Sequence, residues 1–193
     1  PLRGRNRGAV IVHTDITERK RSHDELELKA THDALTGLLN RRAFEAEVDA
    51  ALTEARITEQ CTAVVFIDLD GFKPINDTYG HAVGDDVLRT VAQRITGAVR
   101  TSDRAARLGG DEFVVLISPF RDAHVADVTA DRILAALSEP VVIDSRPISL
   151  AASVGVAVAD SPLAGSQSSL IEQADRAMYE SKQRGGNRST RAP

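Results

Sequence analysis

Two apolar runs, Ala105 to Leu108 and Phe113 to Ile117, are separated only by Gly109-Gly110-Asp111-Glu112. So short a connection reads as a β-hairpin, with the glycines supplying backbone freedom at its turn. A hairpin is not stable alone and needs further strands sharing an apolar face. Ala63-Val-Val-Phe-Ile67 is a continuous apolar run of strand length, and 149–158 reads as another strand. Helical spacing appears in four places. Phe44, Val48, Leu52 and Ala55 predict a helix over 42–55, and Val87, Leu88, Val91, Ala92, Ile95 and Val99 predict one over 85–99. A third is expected over 125–137 and a fourth over 170–182, with Leu170, Ala174, Ala177 and Met178 inward. The stretch 68–84 is turn-rich. Strands and helices alternate irregularly around the hairpin. The expected fold is therefore α+β, a central mixed and largely antiparallel sheet flanked by helices, and not a doubly wound sheet. The polar end from Gly185 onward is expected to fray, with 189–193 as a tail.

The chain has 193 residues, 42% hydrophobic and 27% charged, enough for one domain with a buried core and a little extra. A single cysteine excludes an internal disulfide and suits a reducing, cytoplasmic setting. No apolar run approaches a membrane span, so no membrane contact is expected of this fragment. A net charge of −4 argues against a general nucleic-acid binder but not against a small phosphate ligand. The chain begins at Pro1, which suggests a piece of a longer protein. Residues 8–13 read as a strand without nearby partners. From 15 to 30 the chain is charged and helix-prone, with Ile16, His23, Leu26 and Ala30 near heptad positions. That predicts a linker helix, either pairing with its own copy or lying solvated against the next domain.

Four carboxylates sit where burial is costly. Asp68 and Asp70 follow the most apolar strand, and Asp111 and Glu112 occupy the hairpin tip. If those strands are neighbours, the acids converge and raise one another's pKa until a cation neutralises them, and hard oxygens beside phosphate are the usual setting of Mg²⁺. Acids at strand ends also cap turns, and Asp68 with Asp70 alone would not decide between the two readings. The Gly-Gly turn, which lets backbone approach a ligand, favours a metal–phosphate site. None of His13, His23, His32, His81 and His124 forms a metal-ligand pair. His81, between the glycines of its stretch, reads as a hydrogen-bonding loop residue.

Gly109-Gly110-Asp111-Glu112-Phe113 resembles the five-residue motif that names the GGDEF family of diguanylate cyclases. The resemblance covers 31–188. Asp33-Ala-Leu-Thr-Gly-Leu-Leu-Asn-Arg41 is similar to the family's opening segment, and Asp68-Leu-Asp-Gly-Phe-Lys-Pro-Ile-Asn-Asp77 with Gly80-His-Ala-Val-Gly-Asp85 to its metal- and base-binding stretch. Ala152-Ser-Val-Gly-Val156 and Ala174-Asp-Arg-Ala-Met-Tyr-Glu-Ser-Lys182 resemble its later strand and last helix. The family implies a fold similar to the adenylyl cyclase core and the polymerase palm, and condensation of two GTP into cyclic di-GMP with release of two pyrophosphates. It implies a homodimer, because each domain holds one GTP, and two Mg²⁺ (or Mn²⁺) per site. Asp68, Asp111 and Glu112 would be side-chain metal ligands, with the Leu69 carbonyl as a further oxygen, and Asp111 the base for the attacking 3′-hydroxyl. For Asp70, burial in hydrogen bonds to the loop is an equal alternative.

Guanine recognition would fall to Asn76 and Asp85. The donor–acceptor inventory agrees, since a carboxylate accepts from guanine N1 and N2 hydrogens and adenine would leave it unpaired. Read without the family, both are ordinary turn residues. Gly71 and Phe72 would offer backbone N–H groups to phosphates, and Lys73 and Lys182 positive charge. Where the family usually carries a basic residue four positions after that lysine, this chain has Gly186. Either Arg184 or Arg188 substitutes, or GTP binds more weakly. Arg100-Thr-Ser-Asp103 stands where the family places an inhibitory product site for cyclic di-GMP, completed by Arg132 from a neighbouring domain. Val10 to Lys20 resembles the exit of a PAS sensor domain. The domain plan is then a PAS-like end over 1–15, a signalling linker helix over 16–30 and the GGDEF domain over 31–188. The alternative function is a silent module that binds GTP or cyclic di-GMP and controls a neighbour such as an EAL phosphodiesterase.

Overall fold

The run around Val64 lies at the centre of the sheet because both of its faces are apolar. The computed structural model describes residues 28–159 and 166–193. The PAS-like segment and almost all of the expected linker helix lie outside them. Described in chain order, Thr31–Pro193 contains β1 (Leu39–Asn40), α1 (Arg41–Thr58), β2 (Cys61–Asp70), α2 (Phe72–Tyr79), α3 (His81–Ala98), β3 (Arg104–Gly109), β4 (Glu112–Phe120), α4 (His124–Ser138), β5 (Val141–Ile143), β6 (Arg146–Ile148), β7 (Ala151–Ala159), α5 (Gln167–Gln183) and β8 (Arg188–Arg191).

Six strands form one sheet in the order β1-β3-β4-β2-β7-β8, and β5 with β6 makes a separate hairpin. β2 pairs antiparallel with β4 on one side and β7 on the other, while the edge pairs β1–β3 and β7–β8 are parallel. This is the mixed α+β sheet expected from the sequence.

Alternation along β2 divides its side chains between two cores. Ala63, Val65, Ile67 and Leu69 pack with Phe113 and Val115 of β4, Val154 of β7, Val87 and Val91 of α3 and Ile133 of α4. Val64 and Phe66 face the other way, onto Phe44 and Val48 of α1 and Leu170, Ala174 and Met178 of α5. Phe44 is fully buried, so truncating it to alanine would cost about 3–5 kcal/mol. Helix α5 comes unusually close to the sheet. A Cβ on Gly155 of β7 would lie 2.8 Å from Met178 Cα, so glycine is what permits this approach.

Two expectations are corrected and one hairpin is added. The stretch 68–84 is not mainly turns: β2 runs on through Asp70, and α2 and α3 fill almost all the rest, meeting at Gly80, whose φ of 85° serves both helix ends. The β5–β6 hairpin was not anticipated, because its strands are only three residues each and carry no alternation. The end of the chain does not fray from Gly185. Positive-φ glycines at 185 and 186 turn it back, and β8 adds to the free edge of β7, closed by Ala192 N–H donating to Val156 O at 2.7 Å. Polar side chains hid this strand, because an edge strand is held by backbone hydrogen bonds rather than by burial.

Candidate active site

One register row crosses four strands. Glu112 of β4 stands opposite Asp68 of β2, Asp68 opposite Ser153 of β7, and Ser153 opposite Arg188 of β8. Register partners share a face, here that of α1 and α5. The hairpin places Asp111 beside this row. Its turn is Gly110–Asp111, with Gly109 at φ 146° and Gly110 at φ 53°, and the Asp111 carbonyl accepts the Leu69 amide at 3.3 Å. Asp68, Asp111 and Glu112 are thus brought together, and the backbone of Leu69 lies in contact with the same turn.

Burial pushes the Asp68 carboxyl above the ordinary carboxylate value, and the negative charges of Asp111 and Asp70 add to this; Lys182 only partly offsets them. Glu112 is likewise raised by burial and by Asp68, Asp175 and Asp111, against the opposing charge of Arg41 at 3.7 Å. Lys182 Nζ lies 2.6 Å from Asp68 Oδ1, and Asp68 overcomes desolvation to hold the ammonium pKa up. Apart from that ammonium, the buried Asp68 Oδ1 has no hydrogen-bond partner among the described residues. An oxygen this poorly satisfied, among mutually repelling carboxylates, fits a divalent cation in chemistry. No group of three or more acidic, His or Cys side chains is already spaced as a cation cage among the described residues.

Asp70 takes the other role open to it. Ser153 Oγ donates to both its oxygens, at 2.9 and 3.1 Å, and Asn187 N–H donates to Oδ2 at 3.2 Å. Its carboxylate ties β2 and β7 to the turn before β8.

Gly71, at φ 76°, opens α2 without a side-chain cap, so the first amides of that helix, from Phe72 and Lys73, face outward uncapped. Across the α2–α3 bend, Asn76 and Asp85 are both half-buried. Neither side chain makes a hydrogen bond or ion pair among the described residues. Both lie in helices rather than in turns, and both are left free to meet a ligand.

Asp103 is buried at 8% exposure and accepts the Arg100 N–H at 2.8 Å, while its own N–H donates to Arg100 O at 3.0 Å. That carboxylate closes a local turn. The Arg100 guanidinium has no such partner among the described residues and borders a hollow of about 400 Å³ with Thr96, Leu38 and Asp103. Arg132 shares a smaller hollow, about 120 Å³, with Arg100 in the same domain, and its Nε donates to Ala98 O.

Three contributors were not singled out from sequence. Arg107 donates through Nη1 to both oxygens of Asp33, at 3.1 and 3.3 Å, and through Nε and Nη2 to Gly110 O at 3.0 and 2.8 Å. It pins the hairpin turn to the opening segment, where Asp33 also accepts the Thr36 amide and hydroxyl. Arg41 supplies a cation opposite Glu112, and Ser153 carries Asp70. An Arg inside an otherwise apolar strand was the one available signal for Arg107.

Comparison with known proteins gives the family. The chain matches the family described as diguanylate cyclase, GGDEF domain, over residues 30–188. It is 40% identical over 190 residues to the probable diguanylate cyclase DgcE of Escherichia coli, covering 98% of this chain and 17% of DgcE. It is also 40% identical over 177 residues to the cyclic di-GMP phosphodiesterase PdeR of the same organism, covering 91% of this chain and 26% of PdeR. The chain thus spans about a sixth to a quarter of these relatives. The coiled coil and GGDEF domain of DgcB from Caulobacter crescentus, solved with c-di-GMP, is similar at TM-score 0.82 and 37% identity, covering 91% of this chain and 93% of that one.

Proposed function

The chain belongs to the GGDEF-domain family of diguanylate cyclases, and from that membership we propose that it condenses two GTP molecules into cyclic di-GMP. The observation that carries this reading is the register row that sets Asp68 against Glu112 beside the Asp111 turn. Asn76 and Asp85 take the guanine edge. The amides of Gly71 and Phe72, with the ammonium groups of Lys73 and Lys182, take the triphosphate. Asp68, Asp111, Glu112 and the Leu69 carbonyl would hold Mg²⁺ or Mn²⁺, which would supply neutralising charge and lower the pKa of the 3′-hydroxyl.

Asp111 accepts the proton of that hydroxyl. The 3′-oxygen of one GTP bonds to the α-phosphorus of the other as the bond to pyrophosphate breaks, and a second such step closes the ring. Each domain offers one nucleotide site, so two domains must face each other and turnover rises with association. Cyclic di-GMP bound near Arg100, with Arg132, would hold them apart.

The test is incubation with GTP and Mg²⁺ at high protein concentration beside an Asp111→Ala variant. Cyclic di-GMP and pyrophosphate are expected from the parent alone. A parent that binds GTP and forms no product, even when fused to a dimerising helix, would overturn the cyclase reading. It would support a nucleotide-binding regulatory module instead.

A further inference from the structure

Asn76 and Gly84 touch across the α2–α3 bend. Gly84 is buried, and a Cβ added to it would collide with the Asn76 carboxamide oxygen and lie 2.9 Å from its Cγ and 3.3 Å from Phe72 Cζ. The contact is held in place by the backbone. Asn76 O accepts the Gly80 N–H at 2.8 Å, and Gly80 O accepts the Gly84 N–H at 3.2 Å, which ties three residues in series around the bend.

Glycine is not needed at 84 for its backbone freedom. The residue lies within α3 and outside the left-handed region, where alanine would favour the helix by about 1 kcal/mol. Helix propensity and burial therefore both argue for a side chain. What only glycine provides is a seat for the Asn76 carboxamide, one residue from Asp85.

We infer that Gly84 is a positioning residue for base recognition, holding the Asn76 amide against α3 so that amide and carboxylate meet one purine edge together. The inference rests on the proposed reading in which Asn76 and Asp85 contact guanine. An amide displaced by a Cβ leaves the carboxylate as the only reader of that edge, while on the phosphate side the added atom presses on the tip of the Phe72 ring, at 3.3 Å, rather than on its amide.

Calorimetric titration of the full chain with Mg²⁺ and 3′-deoxy-GTP, 3′-deoxy-ATP or tripolyphosphate tests this, since none of the three can condense. Gly84→Ala is expected to weaken 3′-deoxy-GTP roughly tenfold or more, leave tripolyphosphate unchanged and shrink the guanine-over-adenine preference by the same factor. In an Asn76→Ala background the same substitution has no further effect, because the oxygen it collides with is gone. If Gly84→Ala alone folds poorly, Asn76→Ala relieves the defect. Equal losses in both backgrounds, a loss of tripolyphosphate binding, or an unchanged 3′-deoxy-GTP affinity would each overturn the inference and leave the cyclase reading standing. A parent chain that takes the guanine and adenine nucleotides alike overturns the base reading and this inference with it.

Discussion

Lys182 Nζ sits 2.6 Å from Asp68 Oδ1, so a lysine from the last helix neutralises the most buried carboxylate of the site. Removing it by Lys182→Met leaves Asp68 with no partner for that oxygen. Because the lysine is 37% exposed, solvent screens the pair, and the loss is expected to be about 1 kcal/mol or less in urea unfolding. Mg²⁺ should then raise the Tm of the variant more than that of the parent, since the cation replaces the missing charge. An equal Mg²⁺ response would argue against Asp68 as a ligand.

The carboxylates of the site weaken the fold they sit in. Asp68 and Glu112 titrate above their unfolded values of 3.8 and 4.5, chiefly because of burial, so the folded chain holds their protons more tightly than the unfolded chain does. Their cost is full above the folded-state values and vanishes below the unfolded ones. Asp68→Asn and Glu112→Gln are therefore expected to keep or raise Tm at pH 7 while abolishing product, and to converge with the parent in acid. Thermal scans from pH 3 to pH 8 check this, and a variant less stable than the parent at pH 7 would contradict it.

Asp33 behaves in the opposite sense. Burial pushes its carboxyl up, but the Thr36 hydrogen bonds and Arg107 outweigh it and hold the pKa below 3.8. Its contribution to stability is complete above the unfolded value and is lost as pH falls through the folded one. Arg107→Ala breaks this pair and frees the Gly110 turn. An expected loss of about 1–3 kcal/mol should be accompanied by a lower kcat, because Asp111 is no longer held in register. Unchanged kcat would show that the turn holds itself.

Restoring a cation at 186 should not help. A Cβ there would lie 2.6 Å from Asp70 Oδ2, already engaged by Ser153 and Asn187, and φ is 68°, which penalises any L side chain. Gly186→Arg is expected to destabilise by about 1–3 kcal/mol and not to tighten nucleotide binding. Tighter binding at unchanged Tm would refute the role assigned to the Asp70 tether.

Much of the fold could be read along the chain because its causes are local. The apolar run at 63–67, the Gly-Gly hairpin and the helical spacing of Phe44 with Val48 each depend on neighbours within a turn or a strand. The α2 helix escaped because its eight residues include a proline and few apolar positions. The β8 strand escaped because a backbone edge leaves no side-chain pattern.

The sequence by itself determined the family, the sheet class and the presence of carboxylates at two strand ends. Only the tertiary structure decided how the two similar aspartates divide their work. Asp68 and Asp70 both lie on the same side of one strand, two residues apart, and nothing local separates them. Packing separates them: Asp68 stands opposite Glu112 and within reach of Lys182, while Ser153, although opposite Asp68 in register, turns its hydroxyl to Asp70, which also accepts the Asn187 amide. The seat of Asn76 has the same origin, since a glycine eight residues away matters only after Gly80 bends the chain and brings the two into contact.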